Sequence, residues 1–238
     1  MNGVSDNLLN VRSWIGALIL LNGALSAQAG IVLAPSSVVA NNMGNTTQLD
    51  RAYNQVHLSH TYTSGATDFD AFLAQGVTHN SVPGSSRWQS SNNITTGAID
   101  FDLGGAYRID RIVMWDGGFL NLEDVNSLTI LISDVSNFAT SSTLGTINLG
   151  NPGVLVLDTA RTHQLFNLSS ASGRYVRLQI NSNQGALRSS LAEFAFDAVA
   201  IPEASSFAQV SLMMFICALL PALRSRRATH RDKLVQTS

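Results

Sequence analysis

At 238 residues the chain is long enough for one full domain with appendages, and charged residues make up only 13% of it, about half the ~25% of an ordinary soluble domain. Its formal net charge is −2, and the central part carries no Lys/Arg stripe that could hold a phosphate backbone, which argues against a nucleic-acid partner. The only cysteine is Cys217, near the C-terminus, so the central part has no disulfide to rely on.

The N-terminus places Arg12 before the apolar run "WIGALILLNGAL" and then "SAQAG", where Ala27 and Ala29 form an A-x-A site. A positive flank, a short apolar core and small residues at the exit describe a secretory signal peptide over residues 1–29, cleaved after Ala29. A buried N-terminal helix is the competing reading. About 170 residues then remain before the tail, enough to bury a core without staples.

From residue 30 onward, "GIVLAPSSVVA" reads as an opening strand and "NNMGNTTQLDRAYNQ" as loop with a short helix. "HLSH" sets His57 and His60 three apart, but no third ligand follows at metal-site spacing, and two surface histidines are the simpler account. "DFDAFLAQG", residues 68–76, predicts one or two helical turns. In "AIDFDLGG" the residues Ile99, Phe101 and Leu103 alternate with Asp100 and Asp102, which predicts a strand with one buried and one wet face, stopped at Gly104-Gly105. "RIDRIVMWDGG" offers Ile109, Ile112 and Met114 before a turn, and "SLTILISD" offers Leu128, Ile130 and Ile132. "GTINLG", "VLVLD" and "HQLFNL" predict three more short strands, followed by "RYVRLQI" with Val176, Leu178 and Ile180 inward. "LAEFAFDAVA" closes the series, with Ala192, Phe194, Phe196 and Ala198 on one face. Strands at this spacing, divided by Gly, Asn, Asp and Ser clusters, predict an all-β antiparallel sandwich over residues 30–200.

In order, "RWQSSNN", "GAIDFDLGGAYRIDRIVMWDGG", "RYVRLQI" and "SLAEFAFDA" resemble the discoidin domains, the coagulation-factor type C domains of the galactose-binding-like superfamily. The resemblance covers residues 88–198 and implies a jelly-roll β-sandwich. It also implies recognition of carbohydrate or exopolysaccharide. Two departures stand out. Animal members tie their ends with a disulfide, and this chain cannot. Sugar-binding bacterial members usually carry A-x-D-G-x-x-x-T-x-W before the Trp, where this chain has "AQGVTHNSVPGSSRW".

Sugar recognition uses an aromatic platform and a few hydrogen-bonding side chains in a loop-built cleft. Arg87, Trp88, Phe119 and Asn121 are the candidate ligand-binding residues, with His79 and Trp115 nearby in sequence. Trp88 and Trp115 flank strands, where core packing competes with a platform role, whereas Phe119 lies in a loop. The resemblance further implies a structural calcium held by Glu193, and Asp68 or, preferentially, Asp70 would supply a second carboxylate. For Glu193 a solvated strand position is the alternative. No nucleophile elbow, zinc-protease motif or phosphate loop is present, and the pair Asp100 and Asp102 reads as solvated. The expectation is a protein without catalytic residues.

The tail, residues 201–238, opens with "IPEA" and continues as an uncharged stretch over residues 207–223, followed by Arg224, Arg226 and Arg227. As a transmembrane helix that stretch rises roughly 25 Å against a hydrocarbon core of about 30 Å, and the basic tail, residues 224–238, places its C-terminal side in the cytoplasm. The arrangement resembles the PEP-CTERM sorting signals of exported bacterial proteins. That resemblance implies recognition of Pro202 and Glu203 by exosortase, removal of the helix with its arginines, and delivery from the inner membrane to the cell surface or extracellular matrix. Ala204 stands where the motif usually has a second proline. A permanent type I anchor is the alternative. For the body, the alternatives are a structural surface protein without a small ligand and a glycan-active enzyme on a jelly roll.

Overall fold

A computed structural model describes residues 29–80, 86–115, 122–150 and 160–202. Its strands are β1 (Ile31–Leu33), β2 (Ser37–Asn41), β3 (Thr78–Asn80), β4 (Trp88–Gln89), β5 (Gly97–Trp115), β6 (Val125–Ser133), β7 (Ser142–Asn148), β8 (Ala160–Asn183), β9 (Ser190–Leu191) and β10 (Glu193–Ala200). A 3-10 turn (Leu49–Ala52) and one short helix, α1 (Phe69–Leu73), interrupt them. The ladders between named strands are all antiparallel.

Two long strands build the sandwich by serving both of its layers. The first half of β5 pairs with β2 and with the second half of β8, which continues to β6 and β7. The second half of β5 pairs with β10 and with the first half of β8, and the layer is completed by β1 on β10 and β3 on β8. Register is lost between Asp102 and Tyr107, where Gly104 takes φ +84° and its N–H is held by Asp102 Oδ1 at 2.8 Å. Glycine adopts that left-handed conformation without a Cβ penalty. The predicted stop at Gly104-Gly105 is therefore a bend within one strand. Likewise "HQLFNL" and "RYVRLQI" are two halves of β8, while "VLVLD" lies outside the described residues.

Between the layers lies the larger core. Ile99, Phe101, Leu128, Ile130, Val176, Leu178 and Ile180 meet Ile109, Ile112, Met114, Phe194, Phe196 and Ala198 across it. A β-bulge near Asp110 explains why Ile109 and Ile112, three apart, face the same way. The second layer is also covered on its outer face. There Val113, Trp115 and Ala195 pack beneath Val32, Tyr62, Phe69, Phe72 and Val77. The helix α1 contributes Phe69 and Phe72 to this smaller core, and Asp68 caps it by accepting from Ala71 N–H at 2.8 Å.

Two expectations about wet strand faces are corrected. From Glu193 to Ala198 every residue of β10 is buried, so Glu193 is not a solvated strand residue. Asp100 is also buried, because Arg177 lies over it with Nε and Nη2 on its two carboxylate oxygens at 2.6 and 2.7 Å.

Candidate functional site

At one end of the sandwich the short ladder β4–β9 closes the core. Trp88 lies directly opposite Leu191, is fully buried, and donates its indole N–H to Asn45 O at 2.8 Å. Arg87, whose side chain is 4% exposed, pairs through Nη2 with Glu123 Oε2 at 3.0 Å. Glu123 also accepts from the Gln89 amide and pairs with Arg188 Nε at 3.2 Å. Trp88 and Arg87 are thus turned inward. The structure removes both from an exposed sugar platform and places them in the scaffold beneath the loops.

Beside this scaffold lies a small cleft, with about 30 Å³ of open space, lined in part by Trp115, Asp124, Leu149, Gln164, Gln184 and Ser190. Its polar groups differ in commitment. Asp124 Oδ1 accepts from the Ser190 hydroxyl at 2.7 Å, and Gln184 donates to Leu149 O at 3.0 Å. Among the described residues the Gln164 side-chain amide has no partner. Of these lining residues only Trp115 is conspicuous in the sequence, because each of the others is an ordinary residue that becomes part of a cleft only when β8, β9 and the entry to β6 converge. Phe119 and Asn121 lie outside the described residues, on the segment that leaves β5 at Trp115 and returns at Leu122.

Glu193 and Asp70 are not brought together. Glu193 is buried beside Trp115, while Asp70 is exposed and paired with Arg111 Nη1 at 2.8 Å, opposite Asp197 further along β10. The Arg111 hydrogen bond holds the Asp70 carboxyl below its ordinary value. For Glu193, burial pushes the carboxyl well above its usual range, and the Gln55 N–H, at 3.1 Å from Oε2, opposes the shift. Among the described residues, its Oε1 and the nearby Tyr62 hydroxyl are buried without hydrogen-bond partners. Calcium takes six to eight oxygens, often including several carboxylates. The donors here do not fit that set, and among the described residues no three His, Cys, Asp or Glu side chains form a metal-holding group. Glu193 and Asp70 therefore do not converge on one site.

The remaining expected positions are simply placed. His60 is exposed, and His57 is half-buried with its ring 6.1 Å from that of the buried His79. Pro202 ends the described chain and is exposed. Glu203, Arg224, Arg226 and Arg227 lie outside the described residues, as do the signal-peptide residues 1–28. Among the described residues no helix is long and apolar enough to cross a membrane.

The F5/8 type C domain family model matches residues 61–194, more than half of the chain. The chain belongs to the F5/8 type C domain family. No curated protein matches it. Among solved structures, it is similar to a family 32 carbohydrate-binding module of a Clostridium perfringens family 31 glycoside hydrolase, at 19% identity and TM-score 0.41, over 63% of this chain and 96% of that one. It is also similar to the family 32 module of Streptococcus pneumoniae EndoD, at 11% identity and TM-score 0.40, over 69% and 97% of the two chains. A third similar structure is the family 32 module of C. perfringens NanJ in complex with galactose, at 12% identity and TM-score 0.36, over 49% and 80%.

Proposed function

We propose that this is an exported bacterial surface or matrix protein whose sandwich binds carbohydrate, and that it is a binding protein, not an enzyme. What carries the reading is the match of residues 61–194 to the F5/8 type C domain, with the uncommitted amide of Gln164 at the wall of a small cleft as a candidate contact. A neutral amide supplies donor and acceptor together, the combination that a sugar hydroxyl pairs with. Phe119 and Asn121, on the segment adjoining Trp115, supply the apolar platform and a second amide. Arg87 and Trp88 serve as positioning residues, because their ion pair and core packing hold the strand β4 under the cleft.

Export and sorting rest on the two ends of the sequence. Residues 1–29 direct secretion, and residues 207–223 hold the chain transiently in the inner membrane. Exosortase then acts at Pro202 and Glu203 with the help of the basic residues Arg224, Arg226 and Arg227. The body thereby reaches the cell surface or an exopolysaccharide matrix. The test of the binding function is the full chain on a polysaccharide array, followed by titration with the best oligosaccharide. Saturable binding that weakens in Gln164→Ala and Phe119→Ala is expected. Absence of saturable binding to any glycan overturns the reading.

A further inference from the structure

On the outer face of the second layer, where Trp115 also borders the cleft, three histidines and one arginine come together. His79 on β3 is the register partner of Arg161 on β8, and cross-strand partners share a face. His163 follows two residues along β8 on that same face and stacks edge-on against Trp115 at 6.0 Å. His57 packs against His79 from the loop above. Arg161, His163 and His57 are each half-buried.

The arrangement at Arg161 is incomplete in a specific way. Its Nε and Nη2 are withdrawn from solvent and, among the described residues, have no hydrogen-bond acceptor. These two nitrogens form the side-on edge of a guanidinium, whose parallel N–H groups match two oxygens of one oxyanion. The same chain uses that edge elsewhere. Arg174 sets Nε and Nη2 on Asp102 at 2.9 and 2.8 Å, Arg177 does so on Asp100, and Arg108 does so on Asp110 at 3.1 and 3.0 Å. Arg161 presents the identical edge beside imidazoles, and no carboxylate among the described residues pairs with it. Leaving a charged donor buried and unmatched is strongly unfavourable.

We propose that the edge of Arg161 is an oxyanion site, and that its occupant is an acidic group, a carboxylate or a sulfate ester, of the polysaccharide on which the protein acts. Arg161 supplies the bidentate contact, while His57, His79 and His163 form a wall that carries ring N–H groups and no negative charge. The identity of the occupant rests on the carbohydrate-binding reading, whereas the oxyanion site itself does not. Lying on the opposite face of β8 from Gln164, the site would select acidic over neutral polymers independently of the cleft.

The experiment uses the full chain with three probes: galacturonan oligosaccharide, a neutral galactan oligosaccharide of equal length, and inorganic sulfate. Binding is followed by titration calorimetry, and folding by thermal melting. Wild type is expected to bind galacturonan more tightly than galactan and to be stabilised by sulfate. Arg161→Gln should lose about tenfold or more in galacturonan affinity, as expected for charge-assisted hydrogen bonds, keep its galactan affinity, and lose the sulfate effect. Arg161→Lys, which keeps the charge without the fork, should recover only part. Without ligand, Arg161→Gln should melt at or above wild type, because two buried, unmatched donors are removed. A variant that melts well below wild type makes Arg161 a structural residue and overturns the proposal, as does galacturonan binding unchanged by Arg161→Gln. Sulfate stabilisation that depends on Arg161 without binding of either oligosaccharide retains the oxyanion site and refutes the carbohydrate reading.

Discussion

Replacing Glu123 by Ala tests whether the loop end depends on its buried ion pair. Glu123, with a side chain 9% exposed, is the shared acceptor for Arg87, Gln89 and Arg188. The Arg188 side chain is 40% exposed, so its part is screened by water and adds little. The Arg87 guanidinium, at 4% exposure, is the large contributor, since removing Glu123 takes away a carboxylate that water cannot replace there. Breaking a buried pair in this way costs about 3–5 kcal/mol. For a domain of this size, that lowers the melting temperature by roughly 6–20 °C. Urea unfolding of wild type, Glu123→Ala and Arg87→Met/Glu123→Leu gives the comparison. The double variant should recover much of the loss, because an apolar pair of similar volume needs no desolvated charge. A Glu123→Ala effect below about 1 kcal/mol would match an exposed pair and refute the scaffold role of Arg87.

Other outcomes are expected from the same structure. Burial raises the Glu193 carboxyl above its ordinary value of 4.5, so the stability linked to it is complete below that pH and is lost as pH rises toward the folded-state value. Glu193→Gln should therefore flatten the fall in stability seen by urea unfolding as pH rises above about 4.5. A smaller fall of the same sign should remain from Asp197, which is raised by burial against the pull of Arg111. Asp70, Asp102 and Asp110, lowered by their arginines, lose stability only in more acidic solution. If a chelator lowers the melting temperature of wild type but not of Glu193→Gln, Glu193 is ionised against a cation and the neutral-acid account fails. At Gly173, a Cβ would come within 2.8 Å of Ser133 O on the neighbouring strand; Gly173→Ala should cost about 1–3 kcal/mol by overpacking, and an unchanged urea midpoint would contradict the close approach of β6 and β8. Mass spectrometry of the mature surface form should find a C-terminus between Pro202 and Ser206, and an intact chain ending at Ser238 would leave only a permanent anchor.

Alternation along the chain is enough to identify the inward residues of the strands. Ile99, Phe101, Leu128, Ile130, Val176, Leu178, Phe194 and Phe196 all face the larger core as expected, because a period of two carries burial information locally. The site is far less legible. Trp88 and Arg87 are residue types that bind sugars, yet the partners that draw them inward, Asn45 and Glu123, are 43 and 36 residues away. Gln164 and Arg161 carry no local signal, since nothing in "ARTHQLF" distinguishes a residue at a cleft from one on an ordinary strand.

By itself, then, the sequence determined the all-β class, the order of the main strands and the family resemblance. These properties depend on neighbours a few residues apart. Tertiary structure alone decided that β5 and β8 each bend through both layers, that a second core covers the outer face and buries Glu193, and that Asp70 belongs to Arg111. It also decided which polar side chains are left unmatched. Charge pairing and desolvation depend on distances between strands far apart in the chain, and only the folded sheet sets those distances.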